Sequence, residues 1–215
     1  MILKVLGDKP AKRAPTFVLL GGGPASGKSG LCSLAQAEYP DAVVIDPDVF
    51  KLGLPEIETF RESDPLCAAA RLHEESSYLA ASALDAALLQ RNDVIYDGVS
   101  GNPKKIAALI ERLHQIGYTV HVHFVDSPLG DAMTRMAGRA KSTGRWVPPR
   151  VVEAGHYGAA ATFFAVKESA DTAQFWANGS QGPQKVAEYS KGKESVYDGD
   201  RYKEYREKAD RHGRH

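Results

Sequence analysis

Five short apolar runs punctuate the chain: TFVLLG at 16–21, AVVID at 42–46, DVIYDG at 93–98, TVHVHFVD at 119–126 and TAQFWANG at 172–179. The first three show no alternation of apolar and polar residues, as expected of strands covered on both faces. Between the runs, helical periodicity predicts helices over roughly 28–39, 65–91, 103–116, 128–141 and 149–169. Strand and helix therefore alternate. That order predicts an α/β fold with a mainly parallel sheet and helices on both faces.

Beyond residue 180 the pattern changes, and the stretch 181–215 is polar, charged and rich in turn residues and tyrosine. It reads as a peripheral helix with a frayed tail, too poor in apolar residues to build a second core. The predicted organisation is an N-terminal extension at 1–15, one domain at 16–180 and a polar C-terminal helix and tail at 181–215. Lys and Arg balance Asp and Glu at 27 each, so no global field draws the chain to nucleic acid or an anionic membrane. Any anion site must be local. No apolar run approaches the ~20 residues needed to span a bilayer, and the N-terminus lacks the pattern of a secretory signal, so a cytoplasmic protein is expected. Cys32 and Cys67 match no metal spacing and read as buried packing residues. His121 and His123 share one face of the fourth strand, but without a visible third ligand they too read as structural.

The segment following the first strand changes the picture. In GGGPASGKSG, residues 21–30, Gly22 is followed after four residues by Gly27, Lys28 and Ser29, which satisfies the P-loop pattern G-x-x-x-x-G-K-[ST]. Glycine admits positive φ, so successive backbone N–H groups can turn inward around an anion. The helix that follows adds its positive dipole end. Gly22, Gly23, Pro24, Ala25, Ser26, Gly27, Lys28, Ser29 and Gly30 are thus the expected cradle of a nucleoside triphosphate, ATP or GTP. Lys28 would reach the β- and γ-phosphates, and the Ser29 hydroxyl would ligate Mg²⁺.

Carboxylates at the ends of the next strands suggest what happens to the phosphate. Asp46 and Asp48 close the second strand, where ligands of open parallel sheets bind. Asp46 reads as a cap or support, and Asp48 as the base that takes a proton from an acceptor hydroxyl. Asp97 closes the third strand, within reach of Mg²⁺ or the acceptor, though an Asp-Gly pair also forms turns. Further on, RMAGRAKSTGRWVPPR carries Arg135, Arg139, Lys141, Arg145 and Arg150 with no acidic residue, the composition of a short basic lid. Guanidinium groups there can stabilise charge on a transferring phosphoryl group.

Together, LLGGGPASGKS, IDPDVFK, HEESSYLAASALDAALLQRNDVIYDG and RMAGRAKSTGRWVP resemble the zeta toxin family of P-loop kinases, from about residue 16 to about residue 180. The resemblance implies that Asp48 is the catalytic base and that Lys51 closes its element. It also implies that Glu75 contacts the acceptor and that Arg139 and Arg145 grip the phosphates. It further implies phosphorylation of a small-molecule hydroxyl, such as the 3′-hydroxyl of UDP-N-acetylglucosamine, and an antitoxin protein as partner. Val99 stands where many relatives place threonine, with Ser100 one position later on the acceptor side, and GRWVP replaces the usual G-G-H-x-V-P. These departures leave phosphate donation intact and open the acceptor's identity. Nucleoside, dinucleotide and polynucleotide kinases share the same parts. A nucleotide-binding switch is the reading from another class, although N-K-x-D is absent from the sequence.

Overall fold

A computed structural model describes residues 1–63, 71–99, 101–143 and 146–212 of the protein. After a short helix α1 (Ile2–Leu6), the chain runs β1 (Thr16–Gly21), α2 (Lys28–Glu38), β2 (Val43–Ile45), α3 (Pro47–Gly53) and α4 (Glu56–Ser63). It continues with α5 (His73–Leu89), β3 (Val94–Val99), α6 (Pro103–Gln115), β4 (Thr119–Asp126), α7 (Leu129–Thr143) and α8 (Pro149–Val166). The last elements are β5 (Thr172–Gly179), β6 (Gly182–Ser190), β7 (Lys193–Val196) and α9 (Gly199–Arg211).

The seven strands form one sheet in the order β2-β3-β1-β4-β5-β6-β7. The first five of that order are parallel, and β6 and β7 add an antiparallel edge. Both faces of β1 are apolar because each meets a different helical layer. Phe17 and Leu19 join the larger core with Ala83, Ile110, Val122 and Phe163, while Val18 and Leu20 pack with Leu31 and Ala35 of α2. That two-sided burial explains the missing alternation. Helix starts follow local chemistry. Asn102 accepts from the Lys105 N–H at 3.1 Å ahead of Pro103, and Asp198 accepts from the Arg201 N–H at 3.1 Å.

Several sequence expectations are corrected. Residues 182–196 are not a helix and tail but two strands that widen the sheet, with Val186 and Ala187 buried in the main core. Their signal was hidden because Val186 and Ala187 are adjacent and not alternating, and most of the other residues of the hairpin are polar. Helix α9 is equally integral. Tyr205 is fully buried and stacks on Phe175 with ring centroids 3.9 Å apart. At the other end, Leu6 of α1 is buried in the same core. The helix expected over 65–91 begins at His73 among the described residues, after two shorter helices. Cys32 is half-buried against the α2-side cluster, and burial with the Asp97 and Asp46 carboxylates pushes its thiol up to about 11. Cys67 lies outside the described residues.

His121 and His123 face the α2 side of the sheet. The His121 Nδ1 lies 2.7 Å from the Thr172 hydroxyl, and its ring stacks on Tyr39. Among the described residues, no group of three or more His, Cys, Asp or Glu side chains is placed to hold a metal ion. No described helix is long and apolar enough to cross a membrane.

Candidate active site

The carboxyl ends of the parallel strands build the site. The β1 strand ends at Gly21, and the chain loops over residues 22–27 before α2 begins at Lys28. Gly27 caps α2 in the left-handed region at φ 107°, and a Cβ there would overlap the side-chain amide of Asn178. Only glycine fits on both counts. The loop is held from two sides: Lys28 Nζ donates to the Gly22 carbonyl at 3.3 Å, and Arg135 of α7 donates to the Ala25 carbonyl at 3.2 Å. Ser26 is fully buried, and its hydroxyl has no partner among the described residues.

A cavity of about 430 Å³ opens over this loop, lined by Gly22, Pro24, Ala25, Ser26, Gly27, Lys28 and Ser29. Its far wall carries Asp46, Asp48 and Lys51 from the end of β2 and α3, and Asp97 from β3. Arg139 and Met136 of α7 and Val147 close the lid side. Asp46 caps α3, accepting from the Asp48 N–H at 2.8 Å, with Pro47 at the first helical position. Lys51 donates to Asp48 Oδ1 at 3.1 Å and fixes that carboxylate one turn into the helix.

Most of the expected site residues therefore meet in one cavity. Gly23 of the loop and Gly30 in the first turn of α2 lie outside the cavity wall, against His156 and Pro183 respectively. Glu75 is exposed and does not line the cavity; α5 presents His73 and Ser77 to it instead. Ser100 and Arg145 lie outside the described residues. Sequence reasoning missed His73, Ser77 and Tyr96. A signal for the first two existed: the buried stripe Ser76, Ala80, Ala83 and Ala87 of α5, extended towards its start, brings His73 and Ser77 to the same side. Tyr96 is raised from its ordinary value, by burial first and then by the neighbouring Asp97 carboxylate, so it is a neutral hydroxyl.

A second cavity of about 500 Å³ lies at the ends of β4 and β5. Ser127, Pro128, Asn178 and Gly179 line it, together with Lys185 of β6 and Glu207 of α9.

A parallel sheet of this order, with a G-x-x-x-x-G-K-S loop closing its β1-to-α2 connection, defines a P-loop protein of the kinase type. The family model described as Zeta toxin matches residues 3–201, and the chain belongs to the zeta toxin family of P-loop kinases. Among solved structures, it is similar to a chain of the AvrRxo1-ORF1:AvrRxo1-ORF2 complex with sulphate ions, at 21% identity and a TM-score of 0.72. That match covers 95% of this chain and 66% of the other. The same complex with ATP gives 19% identity and a TM-score of 0.68, with the same coverage. A chain from the PezAT chromosomal toxin–antitoxin system of Streptococcus pneumoniae is 13% identical with a TM-score of 0.69, covering 96% of this chain and 90% of the other. At such identities these likenesses show the fold alone. No curated protein matches the sequence.

Proposed function

We propose that the protein is an ATP- or GTP-dependent kinase that transfers the γ-phosphoryl group to a hydroxyl of a nucleotide sugar such as UDP-N-acetylglucosamine. The observation that carries this reading is a cavity of about 430 Å³ lined both by the phosphate loop and by Asp48. The triphosphate occupies the loop, with its nucleoside end towards the β4–β5 cavity and its γ-phosphate towards Asp48. The acceptor oxygen attacks the γ-phosphorus, the bond from that phosphorus to the β–γ bridging oxygen breaks, and a nucleoside diphosphate leaves. The acceptor's proton passes to Asp48, whose carboxylate Lys51 orients. Lys28 and Arg139 neutralise charge on the transferring group, with Arg145 in the same role from the lid.

The donor set suits Mg²⁺, which keeps several waters and takes one or two carboxylates plus phosphate oxygens. Ser29 and Asp97 line the same cavity and would supply the protein's share. The ion would supply charge neutralisation between the β- and γ-phosphates. The acceptor side would be formed by Asp46, Asp97 and Ser100, with His73, Ser77 and Tyr96 as further wall. An antitoxin protein is the proposed macromolecular partner, on the strength of the family and of the PezAT neighbour. A cytoplasmic location is part of the same proposal, since nucleoside triphosphates and nucleotide sugars would be its substrates.

The test is incubation of the protein with γ-labelled ATP or GTP and a metabolite extract, with purified UDP-N-acetylglucosamine in a parallel reaction. Label should appear in a small molecule bearing a new phosphomonoester. Release of labelled inorganic phosphate alone, unchanged by any acceptor, would exclude the kinase reading.

A further inference from the structure

The phosphate loop is backed by a chain of three polar side chains from three separate elements, none of which belongs to the P-loop pattern. His156 of α8 is fully buried, with its ring directly beneath the loop. Its Nδ1 meets Asp126 Oδ1 at 2.7 Å and its Nε2 meets the Pro24 carbonyl oxygen at 3.0 Å. Both ring nitrogens therefore face an acceptor oxygen, one of the carboxylate and one of the loop backbone. Asp126 is the last residue of β4, and its second oxygen takes the Lys208 ammonium of α9. Lys208 also donates to the Ser127 carbonyl at 3.1 Å.

Packing around the ring leaves it no slack. A Cβ on Gly23 would sit 2.3 Å from His156 Cδ2, and one on Gly155 would sit 2.5 Å from Pro24 Cδ. The two glycines let α8 and the loop touch at backbone distance, and the ring fills the remaining gap. The Pro24 carbonyl is therefore clamped by a hydrogen bond whose other end is anchored to the sheet. Buried polar groups of this kind are costly to leave half-satisfied, so each member holds the others in place.

We propose that His156 is a positioning residue for the phosphate loop, and that Asp126 and Lys208 make the C-terminal helix α9 part of the donor site. The proposal rests on the reading that the loop holds a triphosphate. Fixing the Pro24 carbonyl fixes the Pro24–Ala25 peptide plane and with it the direction of the Ala25 N–H, one of the backbone donors that make the loop a cradle instead of an ordinary turn. Helix α9 then controls phosphate affinity from behind the loop, through Lys208.

The experiment compares Lys208→Met, His156→Gln and Glu194→Gln. Glu194 accepts from both Lys167 and Tyr202 at 2.6 Å, so its substitution loosens α9 at an anchor remote from the loop. Binding of ATP and of inorganic tripolyphosphate is measured by calorimetry at a temperature where circular dichroism shows every variant folded, and the melting temperature is recorded separately. Lys208→Met and His156→Gln should each weaken both ligands by about tenfold or more, the scale of one lost charge-assisted hydrogen bond. Glu194→Gln should lower the melting temperature and leave both affinities within about twofold. If His156→Gln does not fold, the partly buried Lys208 site carries the test alone. Unchanged affinity in Lys208→Met, or an equal loss in Glu194→Gln, overturns the proposal. A wild-type protein that binds neither ligand defeats the triphosphate reading instead, which is a separate result.

Discussion

Lys28 and Asp48 line the same cavity, and each can be tested by a change of a few atoms. Removing the Lys28 ammonium deletes the loop's mobile positive charge while leaving its backbone donors. Lys28→Ala should therefore fold normally and lose about 10³-fold or more in phosphoryl transfer, as expected when charge stabilisation is absent only at the transition state. A folded variant with near-native turnover would remove the phosphate-loop assignment. Within the DPD sequence the two aspartates should separate cleanly. Asparagine caps a helix about as well as aspartate, so Asp46→Asn preserves the bond to the Asp48 N–H. Asp48→Asn keeps shape but cannot take the acceptor's proton, and transfer should fall by about 10² while ATP affinity holds. Steady-state kinetics paired with ATP titration give the answer, and a reversed order of damage would reverse the two roles.

At the scale of elements, β1, the loop and α2 were legible because an apolar strand, glycines and a lysine at fixed spacing allow few alternatives. The order of the parallel strands was not written in any one segment, since β3 inserts between β1 and β2 by long-range pairing. The β6–β7 hairpin was illegible for a different reason: buried on a limited set of positions, it carries the polar composition of a surface loop. Helix α5 shows how resemblance and geometry divide. Family likeness assigns acceptor contact to Glu75, whereas the cavity wall is made by His73 and Ser77. The Ser77 hydroxyl donates to the His73 carbonyl at 2.7 Å, which leaves its lone pairs as acceptors for a ligand hydroxyl. Ser77→Val should raise the acceptor's KM several-fold, the effect of about 1 kcal/mol, with little change in the KM for ATP. Glu75→Gln should change it less. If Glu75→Gln proves the more damaging, the family assignment prevails over the wall seen here.

The whole molecule stakes part of its stability on histidines that the reaction does not use. His123 is buried on the α2 side of the sheet, and burial, helped by His121 and Lys185, pushes it down to about 3. His121 is lowered in the same direction by burial. In the unfolded chain both return to about 6.5, so between that value and about 3 the unfolded state binds more protons than the folded one. Stability must therefore rise with pH across this window and fall on acidification. For His123 alone the loss between pH 6.5 and 5 is about 2 kcal/mol by linkage. Asp171 and Glu194 are both held below the ordinary carboxylate range, with Val120 and His114 donating to the first, and Lys167 and Tyr202 to the second. They also contribute stability that acid removes, but they do so as the pH falls below about 4, where unfolded carboxylates begin to protonate. The interval from 6.5 to 5 thus isolates the histidines. Urea unfolding at the two ends of that interval should show a clear drop for the wild type and a much smaller one for His123→Leu, whatever the variant's absolute stability. An equal drop in both would mean that His123 is hydrated and protonated within the folded sheet, and that the packing between β4 and α2 is looser than described.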